Sequence, residues 1–198
     1  MQIDTEHLHY WMQAIRTSDD PQRVLDAFWA GQIKSKEWLI ENLRPYITKD
    51  VTIDIHGGWV GVLASMLFQS GLPVIKIRSI DIDHHVQDTA NMMNKGEEIQ
   101  GKFTALLANM CDIASDYDVI INTSCEHISQ EQYDRWLAKQ SQNSIIVAQS
   151  NNYAIDEHIR LARDLDQFVE QSQLDVFCAG ELALPLYTRY MIIGKKHE

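Results

Sequence analysis

Cysteine is scarce in this chain of 198 residues. Three are present, Cys111, Cys125 and Cys178, odd in number and widely spaced. They suggest no disulfide framework, which fits a reduced, cytoplasmic protein. Long apolar runs are missing too. None reaches about 18 residues, the length a transmembrane helix needs, so no membrane span is expected. The opening Met1-Gln2-Ile3-Asp4-Thr5-Glu6 is acidic and polar, unlike a secretory signal. Positive charge is in short supply: 17 Lys and Arg stand against 28 Asp and Glu, a net charge of −11. Such a chain repels a polyanion overall, which argues against nucleic acid as partner and toward a small molecule or a protein side chain. His84 and His85 are adjacent, and neighbours on a strand or helix point apart. With no Cys or Asp at metal spacing, no metal site is expected.

What is present begins with helices. Asp4 is placed to cap a helix to about Arg16, with Leu8, Trp11, Met12 and Ile15 on one face. Pro21 suits a first helical position, Val24, Leu25, Phe28 and Trp29 share the next face, and Gly31 is expected to end it. Ser35 starts a third segment carrying Trp38, Leu39 and Leu43, closed by Pro45. The aromatic stripe reads either as packing on the rest of the chain or as a binding surface. Residues 1–50 are thus a helical cap, and residues 51–198 a second unit.

From Val51 onward, strand-like and helix-like runs alternate. Strands are predicted over 51–55, 74–80, 103–108, 117–122, 144–148, 174–178 and 187–194. Helices are predicted over 59–70, 86–94 (stopped near Gly96), 130–140 and 156–171. Such alternation implies an α/β fold with a parallel, doubly wound sheet. The stretch 179–186 is too short for a crossover, so the last two strands are expected to be antiparallel neighbours.

The chemistry gathers where strands end. The first strand ends in Asp54-Ile55-His56-Gly57-Gly58-Trp59-Val60-Gly61, an acid followed by glycines and then a helix, the start of a nucleotide-binding βαβ unit. Asp81 ends the second strand, Asp112 follows the third, and Asn122 through His127 follow the fourth. In open α/β sheets ligands bind outside these carboxyl ends.

In this ordered set, residues 51–194 resemble the class I S-adenosylmethionine-dependent methyltransferases, a Rossmann-like family with seven strands and an antiparallel last pair. The resemblance implies S-adenosylmethionine as cofactor. It places Asp54, Gly57 and Gly58 near the methionine moiety, Asp81 on the ribose hydroxyls and Asp112 facing the adenine amino group. The run from Asp118 through Asn122 to Glu126-His127 matches the family's fourth strand, whose end borders the reacting methyl. Glu126 and His127 resemble the pair found in many small-molecule members. His56 stands where the family has its first glycine. Either His56 and Trp59 line the methionine end of the cofactor, or the turn is built differently. A Gly-x-Gly-x-x-Gly run is absent, against an NAD reading. An Asn/Asp-Pro-Pro-Tyr/Phe run is absent too, against the exocyclic amine of a DNA base as acceptor.

Each residue also has a plainer role. Asp54 or Asp112 would serve as a cap, Asp83 caps the following helix, Glu126 caps the next one, and Cys125 is a buried thiol. Gln149 through Tyr153, with Ser150, Asn151 and Asn152, is either a capping loop or a polar surface for the acceptor. The reading is methyl transfer to a small molecule or protein side chain. Its alternatives are another use of the cofactor (aminopropyl transfer as in nicotianamine synthase-like enzymes, or cleavage) and a non-catalytic cofactor-binding partner. The sequence leaves self-association open.

Overall fold

The structure, a computed structural model, describes residues 4–197. Three helices lead. Asp4 caps α1 (Thr5–Thr17) by accepting the Glu6 amide, and Pro21 opens α2 (Pro21–Asp26) behind Asp20, whose side chain accepts the Arg23 amide. The third, α3 (Ala30–Leu43), runs unbroken through Gly31 and Ser35, where a break was expected. The break falls earlier, at Ala27–Trp29. A helix interior tolerates one glycine at a cost of about 1 kcal/mol.

The remainder alternates as β1 (Val51–His56), α4 (Val62–Gln69), β2 (Val74–Asp81), α5 (Gln87–Met93), α6 (Lys95–Ile99), β3 (Phe103–Leu107), β4 (Val119–Asn122), α7 (Gln130–Ala138), β5 (Ile145–Asn151), α8 (Leu165–Ser172), β6 (Leu174–Ala183) and β7 (Thr188–Lys196). One sheet has the order β3-β2-β1-β4-β5-β7-β6. Strands β1 to β5 pair in parallel, and β7 runs antiparallel to both β5 and β6. The seven-stranded Rossmann-like sheet and its reversed last pair are those the sequence implied.

Strand alternation sorts the core onto the two sheet faces. On one, Ile53, Ile55, Val119, Ile121 and Val147 pack with Trp11, Val24, Leu39 and Leu43 of the N-terminal helices. On the other, Ile120, Ile146 and Ile192 pack with Tyr133, Trp136 and Phe168. Full burial of such a side chain stabilises by about 1.5–3 kcal/mol. The aromatic residues of the cap therefore divide. Trp11 is buried and donates its indole N–H to Ser65 Oγ at 2.9 Å, while Trp29 stays 42% exposed.

Other boundaries shift for local reasons. The helix expected from Trp59 begins at Val62, because Trp59 (φ 50°) and Gly61 (φ 83°) hold left-handed conformations that a helix excludes. The helix expected over 86–94 is α5, which ends at its C-cap Asn94, near Gly96 as expected, and the separate short α6 then carries the chain through Gly96. The long helix expected over 156–171 shrinks to α8, started by Asp164, whose carboxylate accepts the Gln167 amide. Residues 152–164 form a loop instead. It is fastened by the Ile159 and Arg160 amides, which donate to the Glu126 carbonyl at 2.9 and 3.1 Å. Gln149, Ser150 and Asn151, expected beyond the fifth strand, belong to β5 and pair with Met191, Tyr190 and Arg189 of β7.

Candidate functional site

A cavity of about 750 Å³ opens at the carboxyl ends of the parallel strands, with α3 along one side. That volume lies within the range of small-molecule and cofactor sites. Its walls come from the turn after β1, the ends of β2, β5 and β7, the turns after β3 and β4, and the loop 152–164.

The turn after β1 is tight. Gly57 has φ +72°, and a Cβ there would stand 2.4 Å from Ser124 Oγ; at Gly58 it would stand 1.9 Å from Ser79 Oγ. Only glycine suits a left-handed residue with a neighbour this near. Both amides donate to the Ile80 carbonyl, at 2.9 and 3.0 Å. Asp81, at the end of β2, fixes the same turn. Its Oδ2 accepts the Trp59 amide at 2.8 Å and its Oδ1 the Asp83 amide at 3.0 Å. A carboxylate oxygen accepts more than one bond, so Asp81 keeps accepting capacity toward the cavity it lines. Ile82, 70% exposed, and Met110 add apolar surface to the same wall.

Asp54 and His56 do not line this cavity. Register places Asp54 beside Arg78 on β2. The guanidinium forks onto the fully buried carboxylate, with Nε at 2.9 Å from Oδ1 and Nη2 at 2.5 Å from Oδ2. His56 Nε2 lies 3.0 Å from Asp54 Oδ2, and Trp136 donates its indole N–H to His56 Nδ1 at 2.6 Å. Indole only donates, so Nδ1 is the acceptor and Nε2 carries the proton. Burial raises the Asp54 carboxyl, but Arg78 and His56 outweigh it and hold it at about 2.

The other sequence-selected residues divide in the same way. Gly57, Gly58, Trp59, Asp81, Glu126, His127 and Asn151 share the cavity. Asp112 is exposed and faces Arg135 at 3.6 Å, leaving the cavity wall to Asn109, Met110 and Cys111 beside it. Asn122 is buried and accepts the Ser124 amide at 2.9 Å. Ser150 points to the opposite sheet face from Gln149 and Asn151, by strand alternation. Asn152 lies outside the cavity and accepts the Thr188 amide at 2.9 Å. The rings of His84 and His85 do not point apart: their centroids are 3.8 Å from each other, because both lie in a turn.

Glu126 anchors the far end. Its Oε1 accepts from Asn151 Nδ2 and from Arg189 Nη1, each at 2.6 Å, while its buried Oε2 has no partner. Arg189 also donates to the Thr123 carbonyl. Beside Glu126, burial pushes the Cys125 thiol up to about 12, so it carries no thiolate at neutral pH.

Residues the sequence did not mark complete the wall. Gln32, Ser35 and Lys36 come from α3, and His158 from the loop 152–164. Ser35 donates to Gln149 Oε1 at 3.3 Å. Lys36 Nζ donates to the Gln32 carbonyl and to its Oε1, at 3.3 and 2.9 Å. Burial, aided by Arg189, lowers its ammonium to about 7. In sequence, Lys36 is one of several polar residues on an amphipathic helix. Nothing local separates a cavity lysine from a solvated one.

No protein-family model matches the chain, and no curated protein sequence does. Solved structures match it in fold. Magnesium protoporphyrin IX methyltransferase (ChlM) from Synechocystis PCC 6803, with bound SAH, superimposes at TM-score 0.67 and 12% identity, over 98% of this chain and 95% of its own. The pyocyanin biosynthetic protein PhzM does so at TM-score 0.67 and 13% identity, over 94% and 62%. The nicotianamine synthase MtNAS does so at TM-score 0.64 and 10% identity, over 96% and 70%. The chain has the Rossmann-like fold of the S-adenosylmethionine-dependent methyltransferases.

Proposed function

We propose that the chain binds S-adenosylmethionine and transfers its methyl group to a small-molecule acceptor held in the same cavity. The carrying observation is the pairing, across one cavity, of the Asp81 carboxylate at the end of β2 with the Gly57–Gly58 backbone at the end of β1. The residues suit the cofactor. Asp81 has lone pairs left for two ribose hydroxyls, and Ile82 and Met110 offer apolar surface to a planar base. The glycine turn admits close backbone approach. The adenine edge would meet Asn109 through Cys111 rather than Asp112, which turns to Arg135. Bound S-adenosylmethionine supplies an activated methyl, so the protein's share is orientation. Glu126, Asn151, His127 and Lys36 surround the remaining volume and would position the acceptor. The cavity's volume lies in the range of small-molecule sites, which favours a small molecule over a protein side chain.

Calorimetry with S-adenosylhomocysteine tests the binding half. Asp81→Ala is expected to weaken affinity by about 1–2 kcal/mol through lost charge-assisted bonds; unchanged affinity removes Asp81 from the site. The likeness to MtNAS supports a second reading, aminopropyl transfer from the same cofactor. Mass spectrometry of turnover products decides between them. S-adenosylhomocysteine supports methyl transfer, and methylthioadenosine sinks it. Binding without turnover over a broad acceptor panel points to a non-catalytic partner instead.

A further inference from the structure

We propose that Glu126, His127 and His158 form a site for one divalent transition ion, such as Zn²⁺, at the end of the cavity away from Asp81. One ligand atom of each lies within 4.8 Å of those of the other two. Both imidazoles are set for coordination. His127 Nδ1 is 3.1 Å from the Glu157 carbonyl, and His158 Nδ1 is 2.6 Å from the Tyr153 carbonyl. A carbonyl only accepts, so each Nδ1 carries a proton and each neutral ring keeps its lone pair on Nε2. A backbone carbonyl behind Nδ1 is the usual way a metal-binding histidine is oriented.

The carboxylate completes the set. Asn151 and Arg189 occupy Glu126 Oε1, and Oε2 is buried without a partner. An orphaned carboxylate oxygen is costly unless something fills its coordination. The three residues are also tied together by backbone, because the Ile159 and Arg160 amides both donate to the Glu126 carbonyl. His158 is thereby held next to Glu126 across 32 residues of sequence. Around an ion at about 2.1 Å, ligands stand about 3–3.4 Å apart. The exposed His127 side chain is the one with room to move toward that spacing.

Arg189 decides the kind of ion. It offsets the charge of Glu126, so a hard cation held by oxygen charge alone, such as Ca²⁺ or Mg²⁺, gains little. Two imidazoles favour zinc and its neighbours, whose bonds to nitrogen are strong. Two histidines and one carboxylate leave a coordination position open, toward the cavity. A hydroxyl or thiol bound there would lose its proton more readily. The Asp83, His84 and His85 group is a weaker rival. The Asp83 oxygens are taken by the His85 amide and by Arg23.

The test is calorimetric titration of chelator-stripped full-length protein with Zn²⁺, with Co²⁺ absorption to report inner-sphere imidazole. One equivalent is expected to bind. His158→Ala and, separately, His127→Ala are expected to weaken it at least tenfold, and a His84→Ala/His85→Ala variant to leave it unchanged. S-adenosylhomocysteine affinity, measured on the same proteins, shows whether each variant is folded and keeps the cofactor question separate. Absence of stoichiometric binding overturns the site. So does binding that survives both single variants, or that is lost with His84 and His85.

Discussion

Two residues show how placement overrides local pattern. Asp54 looks like a ligand-binding acid by its position before glycines, yet the sheet register turns it to Arg78 and His56. Its folded-state value of about 2 lies below the ordinary 3.8. The pair therefore stabilises fully above pH 3.8, and this contribution, about 2 kcal/mol, is lost as pH falls through about 2. Asp54→Asn is expected to cost about 3 kcal/mol in urea melts at pH 7 by leaving Arg78 without its partner. Its folded fraction should retain S-adenosylhomocysteine affinity. Lys36 shares that direction with pH but contributes a penalty instead of a gain. Its value of about 7 lies below the ordinary 10.5, so folding is penalised in full below pH 7 and relieved as pH rises toward 10.5. Lys36→Met should remove that upward slope, as measured by urea melts between pH 6 and 9.

At the scale of elements, the turn from β1 into α4 tolerates little added bulk. Gly58→Ala forces a Cβ against Ser79 Oγ, and overpacking of this kind costs about 1–3 kcal/mol. Adding Ser79→Ala should recover part of the loss, in thermal melts and in S-adenosylhomocysteine binding alike. Strand β5 makes a related point. Its three polar residues read as a loop because polar runs usually mark one. They stay in the sheet because β7 pairs with them and because two of the side chains find buried partners: Gln149 with Ser35, Asn151 with Glu126. Within the loop 152–164, residues 156–164 carry the part of the expected 156–171 helix that does not form. The loop's amides are spent on Glu126 instead, and Ile155 and Ile159 stay exposed.

Across the whole molecule, the N-terminal helices are part of the main core and not an appendage. Trp11, Val24, Leu39 and Leu43 share one cluster with Ile53 and Val119. Deleting residues 1–47 would uncover that sheet face and one side of the cavity. The truncated chain is expected to show no cooperative unfolding transition by circular dichroism, whereas a cooperative transition would make the cap dispensable. No helix among the described residues is long and apolar enough to cross a membrane.

The order of strands and helices was legible because hydrophobic period and glycine turns act locally, through a few neighbouring residues. The reversed last pair was legible from the shortness of the link at 179–186. The acid at the end of β2 and the glycine turn after β1 stood out for the same reason: a strand end is a local event. What sequence could not determine is which side chains meet. Lys36, His158 and Arg189 reach the neighbourhood of Glu126 from a helix, a loop and an antiparallel strand far apart in the chain. Their meeting depends on sheet order, register and the side of the sheet that α3 covers. Asp54 and His56 were decided by the same facts in the other direction. A one-residue alternation sends them beneath α7, and only packing against Trp136 and Arg78 reveals that side as the closed one.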